Sequence, residues 1–156
     1  MAEHTATIAW RAGSDGFRKG RFSRAHQWHF DGGLTIAASS SPAVIPPPWS
    51  DPAAIDPEEA FVAAIASCHM MSFLYVANQG GIEVVAYDDD ASGRLTKNAD
   101  GMRAITTVTL RPRVSYGDGS APDAAGERAL HDAAHAQCFI AHSVLSEIIV
   151  ELPNVT

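Results

Sequence analysis

The stretch Asp56-Pro57-Glu58-Glu59 opens the segment that decides the fold of this chain. Its aspartate is a side-chain acceptor at a helix cap, its proline suits a first turn, and its second glutamate stands three residues after the cap. Residues 60–77 are almost continuously apolar, and Gly80-Gly81 supplies a stop signal. The pattern predicts a helix from 57 to 78. Because it is apolar on nearly all sides, we expect it at the buried centre of the fold.

The same apolar run approaches the length of a membrane span. Ser67, His69 and Ser72 interrupt it, however, and the residues before it are glutamates rather than the lysines or arginines that anchor a span. We therefore expect that this helix does not span a membrane and is part of a soluble fold.

Length and composition fit one domain covering residues 1–156. The hydrophobic content of 46% supports a core, and a net charge of −7 without any long basic run argues against nucleic acid as a partner. The amino terminus lacks the basic start and apolar core of a signal peptide, so we expect a cytoplasmic location. In that reducing compartment, a pair of cysteines is more often catalytic or metal-binding than a lasting disulfide.

Alternation and turn signals predict an α+β fold with the order βββ–α–βββ–α–β. A loop rich in proline separates the third strand from the first helix, and the second helix ends at a cysteine. The predicted strands are residues 5–10, 21–30, 34–38, 82–87, 91–97, 102–114 and 147–152, and the second helix covers residues 122–138. The loop, residues 39–56, is interpreted as a connector in preference to a lid over a pocket.

An arginine and a histidine share one face of the predicted second strand with three aromatic residues. The even positions of this strand are Phe22, Arg24, His26, Trp28 and Phe30. If this face turns inward, Arg24 becomes a cation that lines a cleft and needs an anionic partner.

Cys68 and Cys138 are the only cysteines, and each lies in a predicted apolar helix near a histidine. Three interpretations are open: a redox pair, two inert buried thiols, or a metal site formed by Cys68-His69 and His135-x-x-Cys138. Adjacent ligands in one helix fit zinc poorly, because structural zinc ligands are usually two to four residues apart. A reactive thiolate needs a nearby cation, and His69 points about 100° away around the helix. Arg24 is the best candidate.

Two motifs together resemble the OsmC/Ohr family of osmotically inducible and organic hydroperoxide resistance proteins. The first is the run from Asp56-Pro57-Glu58-Glu59 to Cys68, and the second is Ala134-His135-Ala136-Gln137-Cys138. The resemblance covers nearly the whole chain and includes the order of elements. It implies antiparallel sheets wrapped around a long buried central helix, in an intertwined homodimer with active sites at the subunit interface.

The resemblance also implies a thiol-dependent peroxidase that defends against oxidative stress. Cys68 would attack the peroxide and become a sulfenic acid, and Cys138 would resolve it into a disulfide that an external dithiol reduces. Arg24 would stabilise the thiolate and Glu58 would orient that arginine, with Arg18 and Arg21 as alternatives to Arg24. No cofactor and no metal are implied. The alternative is a protein of the same fold that binds a small ligand or senses oxidation without fast turnover.

Spacing along the first helix raises a question about this site. Glu58 and Cys68 are ten residues apart, about 15 Å along a straight helix, which one arginine could hardly bridge. Either the helix breaks between them or the glutamate comes from the other protomer, and we expect the second. The chain departs from the family pattern in having Phe139 after the second cysteine and His69 after the first. Apolar pocket candidates that favour an organic hydroperoxide are Trp49, Phe61, Met71 and Phe73.

Overall fold

A computed structural model describes residues 1–13 and 16–153. In these residues it contains two α-helices and eight β-strands, which confirms the predicted α+β class. The elements are β1 (Ala6–Ala9), β2 (His26–Phe30), β3 (Thr35–Ala38), α1 (Pro57–Gln79), β4 (Val84–Asp89), β5 (Ser92–Lys97), β6 (Arg103–Leu110), β7 (Pro112–Tyr116), α2 (Ala124–Gln137) and β8 (Glu147–Val150).

The chain divides into two compact units, Met1–Ala60 and Phe61–Thr156. In the first unit, β1, β2 and β3 form an antiparallel sheet in which Trp28 pairs with both Ile8 and Ile36. The connector after β3 consists of turns and bends, and a single parallel bridge ties Ala38 to Ile55.

The start of α1 forms the predicted capping box. The Glu59 amide donates to Asp56 Oδ1 at 2.8 Å, and the Asp56 amide donates to Glu59 Oε2 at 3.1 Å. These two bonds satisfy donors that a helix terminus otherwise leaves without partners. The helix then continues to Gln79, one residue past the predicted end, and Gly81 adopts a left-handed conformation with φ +70°.

The second unit contains two small sheets. One is the antiparallel pair β4–β7, and the other has the order β5-β6-β8. Within the latter, β5 pairs antiparallel with β6, whereas β8 runs parallel to β6. The predicted sheets were antiparallel throughout, and this edge differs because the chain crosses over through α2 between β6 and β8.

Helix α1 buries one face against two apolar clusters of the second unit. Near Ile65 it packs with Val108 and Leu110 of β6, and near Phe73 and Ala77 it packs with Ala134 of α2. Apart from the adjacent Cys68 and His69, its buried residues are three or four positions apart, as one face of a helix requires. The residues are Ile65, Cys68, His69, Phe73 and Ala77.

The opposite face of α1 is apolar and exposed in the single chain. Met71 is 58% exposed, Tyr75 is 57% exposed and Leu74 is 37% exposed. Among the described residues, α1 is the one helix long and apolar enough to cross a bilayer, a test that the core helix of a soluble protein also passes. Exposed apolar patches of this kind are typical of surfaces that contact another molecule.

Two predicted strands were too long. The run 102–114 forms two strands in different sheets, because Pro112 lacks an amide hydrogen and the Arg111 amide donates to Asp89 Oδ1 at 2.6 Å instead of joining a ladder. In the run 21–30 only His26–Phe30 is strand. The predicted alternation nevertheless extends through the whole run, since the even positions from 22 to 30 are half-buried and the odd positions from 21 to 27 are exposed.

Candidate active site

Cys68 lies on the buried face of α1, between the two apolar clusters. The Ile140 amide, from the segment after α2, donates to Cys68 Sγ at 3.5 Å. A backbone N–H donor aimed at sulfur favours negative charge on that atom. Cys68 is 7% exposed, so its sulfur is largely removed from bulk water.

Cys138 is held at the C-terminal end of α2, where the backbone has left the helix. Its amide donates to the His135 carbonyl at 3.2 Å, and its carbonyl accepts from the His142 amide at 3.3 Å. Burial, and to a smaller extent a hydrogen bond with the Cys68 side chain, raise the pKa of the Cys138 thiol to about 11. Both thiols are free. The structure therefore brings together two cysteines seventy residues apart, and Cys138 carries its proton at neutral pH.

A cavity of about 590 Å³ opens beside Cys68. The Cys68 side chain is part of its wall, whereas Cys138 is not. The other lining residues come from the exposed face of α1 and from the end of α2 with the segment that follows: Met71, Ser72, Tyr75, Ala136, Gln137, Phe139 and His142. A small molecule in this cavity would reach Cys68 before Cys138.

Behind Cys68, two buried histidines form a pair that the sequence did not predict. His69 Nε2 lies 3.0 Å from His131 Nδ1, and the two rings are nearly parallel. Burial lowers the pKa of His69 to about 4, with a smaller contribution from His135. Burial also lowers the pKa of His131 to about 3, with smaller contributions from His69 and Arg128. Both rings are therefore neutral at pH 7, and one nitrogen donates the shared proton to the other.

Arg24 lines a separate cavity of about 330 Å³ within the unit Met1–Ala60. Its guanidinium lies 3.9 Å over the Phe22 ring and donates to the Phe22 carbonyl at 2.6 Å. His26 donates from Nδ1 to the Arg24 carbonyl and accepts at Nε2 from Trp28, which fixes its neutral tautomer. The rest of the cavity wall is mostly apolar and includes Ile8, Trp10, Phe17, Ser39, Ser40 and Pro57. Arg24 therefore lines a cavity, as expected if its face of the strand turned inward.

Only one of the two glutamates at the start of α1 takes part in the capping box. Glu59 accepts from the Asp56 amide, whereas Glu58 lies outside the box and is half-buried. Within residues 1–13 and 16–153, the ion pairs are Arg111–Glu151 and Arg113–Asp90, so neither Arg24 nor Glu58 is in one of them. The helix from Glu58 to Cys68 is unbroken, which removes one of the two alternatives drawn from their spacing. That Arg24 and Glu58 act on Cys68 stays a prediction.

The ligands of the alternative zinc site do not form a cluster. His69 uses its ring to contact His131, and His135 is exposed on α2. Across the described residues, the structure has no group of three or more histidine, cysteine, aspartate or glutamate side chains able to hold a metal ion.

Of the apolar pocket candidates, Met71 lines the cavity beside Cys68. Trp49 lines a different cavity, in the unit Met1–Ala60. Phe61 packs against the cluster around Ile65, and Phe73 is fully buried, so both belong to the core.

Fold and site together define an α+β protein with two free, buried cysteines in contact. The profile of the OsmC-like protein family matches residues 50–152, and this chain therefore belongs to that family. Among solved structures, an OsmC-like protein of unknown function from Vibrio cholerae is 45% identical, with 98% of this chain and 100% of that chain covered and a TM-score of 0.95.

Two organic hydroperoxide resistance proteins share the fold at lower identity. The protein from Elizabethkingia anophelis is 16% identical, with 97% of this chain and 94% of that chain covered and a TM-score of 0.70. The Bacillus subtilis protein is 24% identical, with 96% of this chain and 98% of that chain covered and a TM-score of 0.64. A comparison with curated proteins found no match.

Proposed function

We propose that this protein is a two-cysteine peroxidase that reduces organic hydroperoxides. The observation that carries the proposal is the contact between two free thiols from different helices, of which Cys68 alone lines a cavity. The family includes proteins named for organic hydroperoxide resistance, which supports the same reaction class. The apolar side chains around that cavity suit a substrate with a hydrocarbon body.

The two cysteines have different chemical roles in this proposal. The Cys68 thiolate attacks the terminal peroxide oxygen, the O–O bond breaks, and the alkoxide takes up a proton to leave as an alcohol. Cys138 then attacks the sulfenic acid, and its thiol proton leaves with the hydroxyl as water. The raised pKa of Cys138 suits the first step, because a protonated thiol does not compete with Cys68 for the peroxide. An external dithiol reduces the resulting disulfide, which fits a reducing cytoplasm.

The full site forms, in this proposal, between two copies of the chain. Glu58 is ten residues before Cys68 on an unbroken helix, about 15 Å by helix geometry. We infer that Arg24 and Glu58 of one protomer serve Cys68 of the other. The exposed apolar face of α1 supports this, because Met71, Leu74 and Tyr75 remain uncovered in one chain, and Met71 and Tyr75 line the cavity beside Cys68.

Thiol titration tests the proposed reaction. One equivalent of cumene hydroperoxide should remove two thiols per chain in the natural protein, one in Cys138→Ser, and none in Cys68→Ser. Hydrogen peroxide should react more slowly. Unchanged thiols over several minutes in the natural protein would overturn the peroxidase. That result would favour the alternative of ligand binding or slow oxidation sensing, which the low exposure of both sulfurs also suits.

A further inference from the structure

The hydrogen bond between His69 and His131 joins the two helices that carry the cysteines. His69 directly follows Cys68 on α1, and His131 lies on α2, seven residues before Cys138. The two histidines are 1% and 0% exposed, and the distance between Nε2 and Nδ1 is 3.0 Å. The reaction steps above use neither of them.

His131 and Cys138 are coupled by the geometry of α2. Cys138 directly follows the last helical residue, Gln137, and seven residues correspond to about two turns and a rise of about 10.5 Å, which brings the cap to the side of α2 that carries His131. The burial pattern agrees, since His131, Ala134 and Cys138 are the buried positions from 124 to 138. A shift of α2 along its own axis therefore moves both residues together relative to Cys68.

Apolar packing alone constrains such a shift poorly. Ala134 presents only a methyl group to Phe73 and Ala77, and contacts of this kind are not directional. A hydrogen bond between ring nitrogens depends steeply on distance and angle, and it therefore selects one register. Phe73 stacks on the His131 ring with centroids 4.4 Å apart, which fixes the plane of that ring.

The ring nitrogens that lie outside the His69–His131 hydrogen bond argue against a mainly stabilising role for the pair. His69 Nδ1 and His131 Nε2 are buried and have no hydrogen-bond partner among the residues that the structure describes. An unpaired buried polar atom destabilises a fold, whereas two apolar side chains of similar size would carry no such cost. The benefit of a polar pair at this place is geometric.

We propose that the His69–His131 hydrogen bond is a positioning contact that holds Cys138 in line with Cys68 for disulfide formation. This inference rests on the proposed function and concerns its second step, in which one S–S bond forms, one S–O bond breaks, and water leaves with the Cys138 proton. Disulfide geometry is narrow, and a displacement of about 1 Å can slow a positioned reaction 100-fold. The first step needs only Cys68 and the peroxide.

The test compares His131→Leu, which removes the hydrogen bond, with His131→Asn, whose amide lies where Nδ1 was. Leu130→Ala is the matched control, because it removes packing from the neighbouring position of α2 without touching a hydrogen bond. Sulfenic acid formation is followed in each variant combined with Cys138→Ser, using a dimedone probe. Disulfide formation is followed with Cys138 present, and thermal unfolding confirms that each variant is folded.

We expect His131→Leu to slow disulfide formation about tenfold and to leave sulfenic acid formation within twofold, with recovery in His131→Asn. Equal slowing of both steps, or an unchanged second step, would overturn the positioning role. A separate measurement uses no peroxide: equilibration with reduced and oxidised glutathione gives the effective concentration of the cysteine pair. A tenfold fall in His131→Leu supports positioning even if the natural protein fails to react with hydroperoxides, and no fall contradicts it.

Discussion

The two cysteines are both buried, but their surroundings give the two thiols different properties. Cys68 lines the larger cavity and accepts a backbone N–H, whereas Cys138 is sealed behind it with a pKa raised to about 11. A Cys68 thiolate needs a cation nearby, and Arg24 is our candidate in the proposed function.

We predict that Arg24→Met slows the reaction of Cys68 with cumene hydroperoxide about 100-fold, because removing a fixed charge from a nascent anion typically has this effect. Arg24→Lys should recover only part of the rate, since a lysine lacks the planar fork. Stopped-flow measurement of the first thiol lost reports the step directly.

Arg18→Met and Arg21→Met are the controls, because both arginines are exposed and precede the same strand. Each should stay within about twofold of the natural rate. A large loss in either of these variants, with Arg24→Met unaffected, would move the assignment to that arginine.

Acid should destabilise the protein through the histidine pair. The folded pKa values of His69 and His131, about 4 and 3, lie below the ordinary value of 6.5. The unfolded chain therefore binds more protons below pH 6.5, and stability falls as pH decreases from about 6.5 to about 4. Each histidine contributes a slope of roughly 1.4 kcal/mol per pH unit in that window.

Urea unfolding between pH 4.5 and 7.5 measures this slope. His131→Asn should remove about half of it. His135→Gln, which changes an exposed histidine of the same helix, should leave it nearly unchanged. Parallel pH profiles for the natural protein and His131→Asn would show that the buried pair is not the cause.

At the scale of elements, local signals predicted most of what the structure contains. The capping box and the glycines fixed α1 to within one residue because each signal acts over a few neighbouring positions. The division of residues 102–114 into two strands could have been predicted from Pro112, because proline has no amide hydrogen to donate within a sheet. The parallel pairing of β8 with β6 could not be predicted from local signals, because it depends on the long connection of residues 111–146.

The residues of the candidate site also fall into those that local sequence signals predicted and one that they did not. The two cysteines and Glu58 stand in recognisable motifs, whereas Arg24 was predicted from the alternation of residues 21–30, whose even positions are half-buried. His131 was missed because its partner lies 62 residues away and only tertiary packing joins them. The one available signal was the spacing of His131, Ala134 and Cys138 along a single helix face.

Close packing between α1 and β5 gives a prediction about stability. A Cβ atom added at Gly93 would lie 2.6 Å from Val62 Cγ2 and 3.2 Å from Ile105 Cγ2, so any larger residue must displace one of these side chains or the backbone that carries it. We expect Gly93→Ala to lower the free energy of unfolding by about 1–3 kcal/mol, as overpacking usually does. Urea denaturation measures the loss.

Val62→Ala should restore part of that stability when combined with Gly93→Ala, although alone it destabilises. Gly32→Ala is the control, since a Cβ at that position meets nothing within 4 Å. Additive effects of the two substitutions at 62 and 93 would mean that the contact does not limit the space at Gly93.

For the whole molecule, the proposed exchange of residues between protomers makes a specific prediction. Cys68→Ser and Arg24→Met should each be nearly inactive as homodimers. After the two are unfolded together and refolded as a mixture, heterodimers pair an intact Cys68 from one chain with an intact Arg24 from the other. About half of the dimers then carry one complete site, so roughly a quarter of the natural activity should return.

Two controls define this complementation experiment. Mixing Cys68→Ser with a Cys68→Ser/Arg24→Met double variant should restore nothing, because no chain supplies the attacking sulfur. Light scattering should report a mass of two chains throughout. No recovery in the first mixture, at a confirmed dimeric mass, would place Arg24 and Cys68 of the same chain in one site.

The separation of the two cysteines along the chain also has a consequence during synthesis. At about 5–20 residues per second, a ribosome adds Cys138 about 4–14 s after Cys68. Throughout that interval the nascent Cys68 has neither its partner thiol nor the Ile140 amide that contacts its sulfur in the finished fold. A cell making this protein under oxidant exposure therefore produces chains whose first cysteine is open to irreversible oxidation before the second exists.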